Sequence, residues 1–352
     1  MSQSFLNKTT SKLSAYVPGE QPTENGWLKL NTNEHAYPPS PKIKEALKKL
    51  DFDQLRKYPS PIAARLRDCI SQTFSINPEM VMVCNGSDES LRLLCQATLE
   101  TGSSAGFPEV TYSLYEILVK AFGPAVIVPN LENLKVDIKS LSQSTANVIF
   151  LPNPNAPTGE MIETKALFNQ IKNSDKLWII DEAYNDFVED ENPSMIPYLD
   201  DLPNMVVTRS FSKGYALAGL RLGFLATGNM QLMQGLQAIK DSYNTNYVSQ
   251  YLGLIGLQDQ DYYKQIRGSV IKDRAFLTNA LRELNWEVLD SQGNFLLASP
   301  GNADKAASVF SRLKEKKILV RYFRTDLLNQ YLRITIGTHD EVKQLLSVLR
   351  EI

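Results

Sequence analysis

The chain has 352 residues, of which 43% are hydrophobic and 22% charged, a composition typical of a globular protein and not of a disordered or collagen-like one. Lysine and arginine number 37, and aspartate and glutamate number 39, so the formal net charge is −2 and a basic surface for nucleic acid is not expected. The length exceeds what one hydrophobic core usually sustains, which favours more than one domain.

Cysteine and histidine usage argues against several kinds of site. The three cysteines have spacings that suggest neither a disulfide framework nor a zinc ribbon, and they indicate a reducing compartment. Two histidines, His35 and His339, give poor support for a metal site or a Ser-His-Asp triad. Met1–Lys8 lacks the apolar stretch of a secretion signal, and no later run reaches the ~18 apolar residues of a membrane span. We expect a cytoplasmic protein without a metal site.

Short apolar runs alternate with helical patterns over the first part of the chain. The runs are Val81–Cys84, Val126–Val128, Val148–Leu151, Leu177–Ile180 and Met205–Thr208. They are rich in β-branched residues and do not alternate with polar ones, which predicts buried parallel strands. An apolar stripe at helical spacing follows the acidic pair Asp88 and Glu89, which predicts a helix there. The βαβ alternation predicts an α/β fold whose mainly parallel sheet is flanked by helices.

The pattern changes after about residue 255, where a charged helical stretch leads into a smaller α+β unit. Its predicted strands are Trp286–Leu289, Phe295–Leu297 and Leu332–Ile336. The Thr-x-x-Glu capping box at Thr338 predicts the start of a closing helix, and prolines near the N-terminus indicate an extended arm. The predicted units are an N-terminal arm associated with the small domain (1–40), a large domain (41–255) and a small C-terminal domain (256–352).

The most informative segment is Thr208–Phe224, which directly follows a predicted buried strand. It places Lys213 among small and apolar residues. Partial desolvation lowers the pKa of a lysine and supplies the free amine that forms a Schiff base. The alternative is a lysine that extends along the surface into solvent.

A second segment ends the run Leu177–Ile180 in a carboxylate, Asp181, with Tyr184 three residues later. Parallel sheets bind ligands at the carboxyl ends of their strands, and a buried carboxylate there needs a cationic partner. A protonated pyridine nitrogen is a suitable partner, because holding that proton makes pyridoxal phosphate an electron sink. The alternative is that Asp181 caps a following helix.

Two further segments suggest how a ligand is held. Asn85–Glu89 joins a predicted strand to a helix, so its backbone N–H groups and the Ser87 hydroxyl suit a phosphate. Ser210, Ser212 and Arg221 add neutral donors and a cation. The proline-containing turn Leu151–Gly159 follows another predicted strand and aims an amide at a ligand, although by itself it is equally well a rigid loop.

These four segments, with Leu332–Thr338, resemble in the same order the fold-type-I pyridoxal-phosphate-dependent aminotransferases, and among these the enzymes that act on histidinol phosphate. The resemblance covers nearly the whole chain, and its most specific part is Ser212–Lys213 with Ala218–Phe224. It implies a homodimer with shared active sites that binds pyridoxal 5'-phosphate. The implied reaction converts histidinol phosphate and 2-oxoglutarate to imidazole acetol phosphate and glutamate, a step of histidine biosynthesis.

The resemblance also implies a role for each matching residue. Lys213 is the Schiff-base lysine and Asp181 the partner of the pyridine nitrogen. Tyr184 and Asn155 face the phenolic oxygen of the cofactor, and Tyr112 stacks on its ring. The residues implied for the phosphate are Gly86, Ser87, Asp88, Ser210, Ser212 and Arg221, with Tyr58 reaching the phosphate of the neighbouring subunit. Those implied for the substrate are Arg333, Arg321 and Tyr16.

The chain departs from the family pattern in two places. It has Asn155-Ala156-Pro157-Thr158-Gly159 where the family often has Asn-Asn-Pro-Thr-Gly, and one residue more before Tyr112. The alternatives for the function are an aromatic amino-acid aminotransferase, a decarboxylase of a phosphorylated substrate, a cofactor-binding regulatory domain and a structural protein with no cofactor. For Arg321 the alternative is a surface charge on an edge strand.

Overall fold

The computed structural model describes residues 5–191 and 193–351 as two β-sheets with helices packed against them. The strands are β1 (Leu28–Leu30), β2 (Val81–Cys84), β3 (Ala105–Pro108), β4 (Ala125–Val128), β5 (Val148–Pro152), β6 (Leu177–Asp181), β7 (Met205–Ser210), β8 (Gly223–Ala226), β9 (Glu287–Val288), β10 (Phe295–Ser299), β11 (Ile318–Tyr322) and β12 (Leu332–Thr335). The α-helices are α1 (Pro41–Lys48), α2 (Ala64–Phe74), α3 (Ser87–Thr98), α4 (Leu114–Phe122), α5 (Ile138–Gln143), α6 (Thr164–Lys172), α7 (Met230–Ile239), α8 (Tyr247–Leu257), α9 (Gln260–Glu283), α10 (Ala303–Glu315) and α11 (His339–Leu349).

The larger sheet has seven strands in the order β2-β8-β7-β6-β5-β3-β4. The five strands β7, β6, β5, β3 and β4, in their order across the sheet, pair in parallel. Strand β8 runs antiparallel to both of its neighbours, β7 and β2. All five predicted apolar runs are strands of this sheet, and the α/β class is confirmed. The prediction of parallel pairing is wrong for Val81–Cys84, which pairs antiparallel with β8. The reason is the direction of β8: the short connection 211–222 turns the chain back after β7, so β8 runs opposite to the other strands.

Apolar side chains of this sheet alternate between two packed layers. Ile180 and Val207 belong to the layer on one face, and Ile179 and Val206 belong to the layer on the other. Successive residues of a strand point to opposite faces of the sheet, and both faces are covered here. Side chains on both faces of β6 and β7 are therefore buried, which is why their apolar runs are continuous in sequence.

The smaller sheet has the order β1-β11-β12-β10-β9. Its strand β11 lies between β1 and β12, so the reading of Arg321 as a charge on an edge strand is wrong. The partner on one side, β1, comes from near the N-terminus, a pairing that local sequence does not reveal. The predicted run Trp286–Leu289 contributes only two strand residues, whereas α11 begins with the predicted capping box between Thr338 and Glu341.

Helix α9 connects the cores of the two sheets. Tyr263 and Ile266 pack in the core of the larger sheet, whereas Val270 and Leu277 pack in that of the smaller one. The division into an arm and two domains at residues 40 and 255 stays a prediction, and Met1–Ser4 and Ile352 lie outside the described residues. Within the described part of the chain, the helices are too short or too polar to traverse a lipid bilayer.

Candidate active site

The ends of neighbouring strands bring the predicted segments to one edge of the larger sheet. Pro152 of β5 is opposite Asp181 of β6, and Asp181 is opposite Thr208 of β7. A cavity of about 680 Å³ opens at this edge. The predicted site residues that line it are Tyr16, Ser87, Asp88, Tyr112, Asp181, Tyr184, Ser210, Ser212, Lys213, Arg221, Arg321 and Arg333.

Lys213 lies in the turn after β7 and points into this cavity, not along the outer surface. Its Nζ donates to the Thr32 carbonyl at 3.1 Å and lies 5.7 Å from the centre of the Tyr184 ring. Enclosure by protein and, to a smaller extent, the neighbouring Arg333 cation lower the pKa of Lys213 to about 8. The side chain is therefore a base near neutral pH, as the sequence predicts.

Asp181 ends β6 and is only 4% exposed. Its Oδ2 accepts from the Tyr115 hydroxyl at 2.9 Å, and its Oδ1 accepts from the Thr208 hydroxyl at 3.1 Å and the Ala183 N–H at 3.2 Å. Burial raises the pKa of Asp181 to about 6 against the effect of these hydroxyls. No α-helix follows β6 within the described residues before α7, so the helix-cap alternative is wrong. Within the part of the chain that the structure describes, Asp181 is a buried carboxylate whose hydrogen-bond donors are all neutral.

Tyr184 and Tyr112 form aromatic parts of the cavity wall. The Tyr184 hydroxyl accepts from Asn33 Nδ2 at 3.0 Å, and burial raises the pKa of Tyr184. The Tyr112 hydroxyl donates to Asp88 Oδ1 at 3.3 Å, and its ring lies 6.1 Å from that of Tyr16 in an edge-to-face arrangement. Flat rings at the wall suit a planar ligand.

The start of α3 and the loop after β7 form a basic corner. Gly86 has φ +82°, and a Cβ on it would lie 2.9 Å from Arg221 Nη2, so only glycine lets the guanidinium approach the helix N-terminus. Arg221 itself has a left-handed φ of +49°, and it donates to Ser212 Oγ at 3.3 Å and to Asp88 Oδ2 at 3.2 Å. Backbone N–H groups, hydroxyls and one arginine together suit a phosphate.

Arg333 on β12 contributes a half-buried cation to the opposite side of the cavity. One of its guanidinium nitrogens, Nη2, donates to the Asn31 carbonyl at 2.9 Å, while the buried Nε has no hydrogen-bond partner among the described residues. Burial lowers the pKa of Arg333. An unsatisfied buried N–H is costly, so this arginine suits an anionic ligand that completes its contacts.

Arg321 and Tyr16 form the more open end of the same side. The Arg321 guanidinium donates to the carbonyl oxygens of Val17 at 3.0 Å and Pro18 at 3.1 Å. Tyr16 immediately precedes these residues and is 37% exposed. Arg321 thus holds the arm segment against the cavity.

Known proteins are similar to this chain in sequence and in fold. Residues 25–349 match the family model described as aminotransferase class I and II. The chain belongs to this family. It is 40% identical to the histidinol-phosphate aminotransferase of Brachyspira hyodysenteriae over 97% of this chain and 96% of that one. It is 36% identical to histidinol-phosphate aminotransferase 1 of Trichormus variabilis over 99% of each.

The fold also matches solved structures of aminotransferases. The histidinol-phosphate aminotransferase from Sinorhizobium meliloti, in complex with pyridoxal-5'-phosphate, superposes with a TM-score of 0.89 and 22% identity over 99% of both chains. At this identity the similarity concerns the fold, which agrees with the architecture of the two sheets described above.

Three residues predicted for this aminotransferase site do not line the cavity: Gly86, whose place beside Arg221 is described above, Asn155 and Tyr58. The Asn155 amide donates to the Val110 carbonyl at 2.9 Å and to Thr158 Oγ1 at 3.1 Å, so its side chain joins its own loop to the segment before α4. Tyr58 is 81% exposed and stacks on Tyr243 with ring centres 4.4 Å apart. The roles implied for these three residues stay predictions.

Several aminotransferase site residues were not predicted from the sequence. Tyr115 and Thr208 hold Asp181, Asn33 holds Tyr184, and the Thr32 carbonyl accepts from Lys213. Thr208 had a usable signal in the sequence, because it is a polar residue at the end of the apolar run Met205–Val207, and that run forms the strand next to β6. Asn33 had none beyond the polar run Asn31–Glu34, since its place depends on the pairing of β1 with β11.

Proposed function

We propose that this chain is a pyridoxal-phosphate-dependent aminotransferase of histidine biosynthesis that converts histidinol phosphate and 2-oxoglutarate to imidazole acetol phosphate and glutamate. The observation that carries the proposal is a single cavity lined by both Lys213, with its lowered pKa, and Asp181, a buried carboxylate whose donors among the described residues are all neutral. Full-length relatives at 36–40% identity that carry this activity in their names support the choice of substrate.

The residues of the cavity fit the cofactor. From residues 5–191 and 193–351 Asp181 accepts hydrogen bonds from neutral groups only, so a protonated ring nitrogen supplies the counter-charge that a buried carboxylate requires. At Gly86 the absence of a side chain leaves room beside Arg221 for a phosphate at the start of α3. The chemistry that pyridoxal phosphate supplies when bound is an electron sink for the substrate carbon and temporary storage of the amino group.

Each side chain then has a defined task. Lys213 Nζ, with a pKa of about 8, exchanges protons at neutral pH and serves as the general acid and base at the substrate carbon. Asp181 holds the proton of the ring nitrogen, and Arg221 anchors the phosphate end. Tyr184 and Tyr112 restrict the position of the ring between these anchors, which keeps the reacting bond oriented.

Arg333 and Arg321 are the proposed anion-binding residues for the substrate. The unsatisfied Nε of Arg333 supports a contact with the phosphate of histidinol phosphate and, in the second half-reaction, with a carboxylate of glutamate. Arg321, which is half-buried, gives up or shares its contacts to Val17 and Pro18 when it binds the phosphate. Tyr16 on the same arm closes this end of the cavity.

We further propose that the enzyme acts as a homodimer in the cytoplasm. Tyr58 is 81% exposed, and Phe52, Leu55 and Ile62 near it in sequence are 75%, 50% and 41% exposed. Large exposed apolar side chains of this kind favour an interface, and a dimer gives Tyr58 the implied role at the cofactor phosphate of the partner. The low cysteine content and the free state of the three cysteines agree with a reducing compartment.

Visible absorbance and borohydride reduction test the cofactor. The purified protein is expected to absorb as a lysine–pyridoxal conjugate, and reduction followed by peptide mapping is expected to find the label on Lys213. A colourless protein that takes up no pyridoxal phosphate would reject the proposal.

Initial rates test the substrate. With 2-oxoglutarate as acceptor, kcat/KM for histidinol phosphate is expected to exceed that for phenylalanine by about 100-fold or more, because two arginines face the phosphate. A preference for phenylalanine would indicate an aromatic aminotransferase. Release of carbon dioxide without consumption of an oxo acid would indicate a decarboxylase.

A further inference from the structure

A buried ion cluster lies beside the ends of β6 and β7. Arg209 Nη1 donates to Glu182 Oε2 at 2.9 Å and to Asn185 Oδ1 at 2.8 Å, and Arg209 Nη2 donates to Asp186 Oδ1 at 3.0 Å. Arg267 Nη2 lies 3.2 Å from the same Asp186 oxygen. Two cations and two carboxylates balance, as buried charges require.

The cluster is built into the same backbone as the proposed catalytic residues. Glu182 follows Asp181, and Asn185 follows Tyr184. Arg209 stands between two residues of β7 that face the site, so its side chain projects from the other face of the strand. The positions of these backbone segments therefore depend on the cluster.

Arg267 extends the cluster to the residue after Lys213. Its Nε donates to the Gly214 carbonyl at 2.9 Å, and its guanidinium carbon lies 4.4 Å from the centre of the Tyr215 ring. A Cβ on Gly214 would lie 2.2 Å from Asp186 Oδ2, so the Gly214 backbone is packed directly against that carboxylate. The main chain beside Lys213 is held by Arg267 and Asp186 together.

Arg267 comes from α9 at the point where that helix passes from one core to the other. Ile266 packs in the core of the larger sheet, and Val270 packs in that of the smaller one. Two turns further along, the buried Arg274 donates to the carbonyl oxygens of Phe187 at 3.0 Å and Gly293 at 2.8 Å. Arg274 thus resembles Arg267 in burial and bonding but does not contact the loop of Lys213.

We propose that Arg267 is a positioning residue for Lys213, an inference that rests on the proposed function of that lysine. The guanidinium donates through Nε to the Gly214 carbonyl and forms an ion pair, without a hydrogen bond, between Nη2 and Asp186, and the two contacts fix the backbone from which Lys213 reaches the cavity. Because Asp186 also binds Arg209, the same contact sets Lys213 relative to the segment that carries Asp181 and Tyr184. A displacement of about 1 Å of a reacting group costs on the order of 100-fold in rate.

The test compares Arg267→Met, Arg267→Lys and the control Arg274→Met in the holoenzyme. For Arg267→Met we expect kcat to fall about 10-fold to 100-fold, KM for glutamate to stay within about twofold, and less Lys213 to be labelled after borohydride reduction. Arg267→Lys keeps a cation beside Asp186 but loses the simultaneous bond to Gly214, so intermediate values are expected. Arg274→Met is expected to lower the unfolding temperature while kcat and labelling of Lys213 stay near wild type.

Equal kcat and equal labelling in Arg267→Met and Arg274→Met would overturn the inference, because both arginines would then be structural only. If Arg267→Met does not fold, Arg267→Lys decides: reduced labelling of Lys213 supports the positioning role, and wild-type labelling and kcat overturn it. Absence of label on Lys213 in the wild-type enzyme would instead reject the proposed function, and the inference with it.

Discussion

The cavity wall that carries Lys213 and Asp181 is made from the ends of adjacent buried strands, whereas the wall that carries Arg321 and Tyr16 is made from the smaller sheet and an extended arm. Asp181 is 4% exposed and Tyr16 is 37% exposed. Asp181 is held by Tyr115 of α4 and Thr208 of β7, both packed in the larger sheet's layers, whereas Arg321 is held by two carbonyl groups of the arm.

The difference separates two requirements of one enzyme. Proton transfer needs groups fixed to within fractions of an ångström, which rigid strand ends provide. Selection between two different anionic substrates needs a wall that adjusts, which an arm with few buried contacts provides. We therefore expect substitutions on the sheet wall to change kcat most and substitutions on the arm wall to change KM.

The largest effect is expected for Lys213→Ala. Loss of the proposed base and of the covalent attachment point is expected to lower turnover of histidinol phosphate on the order of 10⁴-fold or more, measured by initial rates. A matched control is Lys176→Ala, because Lys176 Nζ also donates to backbone carbonyls, of Ser144 at 2.9 Å and Ala146 at 2.7 Å, but Lys176 stands just before β6 and does not line the cavity. Turnover at the wild-type rate in Lys213→Ala would show that Lys213 takes no part in the reaction.

Arg333→Ala comes next, since Arg333 is a half-buried cation of the substrate side. Without its guanidinium, KM is expected to rise about 10-fold to 100-fold for both histidinol phosphate and glutamate, because both anions are proposed to use it. Initial rates with histidinol phosphate varied, and separately with glutamate varied, measure the two KM values. Arg333→Lys should recover part of the loss. An effect on one substrate alone would show that the two anions bind at different places.

The pH dependence of cofactor uptake has a smaller expected range. The pKa of Lys213 is about 8, below the usual lysine value, so its neutral amine increases as pH rises through 8 and is nearly complete above 9. Between pH 7 and 9.5 the rate of covalent pyridoxal phosphate uptake by the cofactor-free enzyme is expected to rise about 10-fold and to level off. Stopped-flow absorbance measures this rate.

Two features make the pH experiment specific. The pKa of Asp181 is about 6, so this carboxyl is ionised throughout that range. A free amino-acid lysine should continue to gain reactivity up to about pH 10.4. The same late rise in the enzyme would mean that the cavity does not lower the pKa of Lys213.

The smallest effect is expected for Arg321→Ala. Because Arg321 is half-buried and already bound to the arm, its loss should raise KM for histidinol phosphate about threefold and change kcat little. Arg324→Ala, which removes an exposed arginine of the neighbouring loop, is the control. A fall in kcat comparable to that of Lys213→Ala would contradict the division between the two walls.

Local sequence predicted much of the larger sheet and part of the site. Runs such as Val148–Leu151 are strands because continuous β-branched residues fit only a sheet covered on both faces, and Lys213 and Asp181 stand out as polar groups at the ends of such runs. Strand Ala105–Pro108 escaped prediction because Gly106 and Pro108 weaken its strand pattern.

The partners of the site residues could not be predicted in the same way. Tyr115 reaches Asp181 from α4, and Asn33 reaches Tyr184 from a segment 151 residues away in the chain. From the sequence, Arg321 could be a surface charge on an edge strand. Only the pairing of β1 with β11 shows that the strand of Arg321 is not at the edge of its sheet. Such contacts depend on the order and register of strands, which short-range patterns do not encode.

The sequence by itself determined the class of fold, the strand ends that carry a lysine and a carboxylate, and the family resemblance, since all three follow from hydrophobic periodicity and local motifs. Only the tertiary structure decided that, among the described residues, Asp181 meets neutral donors and the Arg333 Nε lacks a hydrogen-bond partner, and that Arg267 contacts the loop of Lys213. Desolvation and hydrogen bonding depend on every group that surrounds an atom, and those groups come together only when distant segments fold.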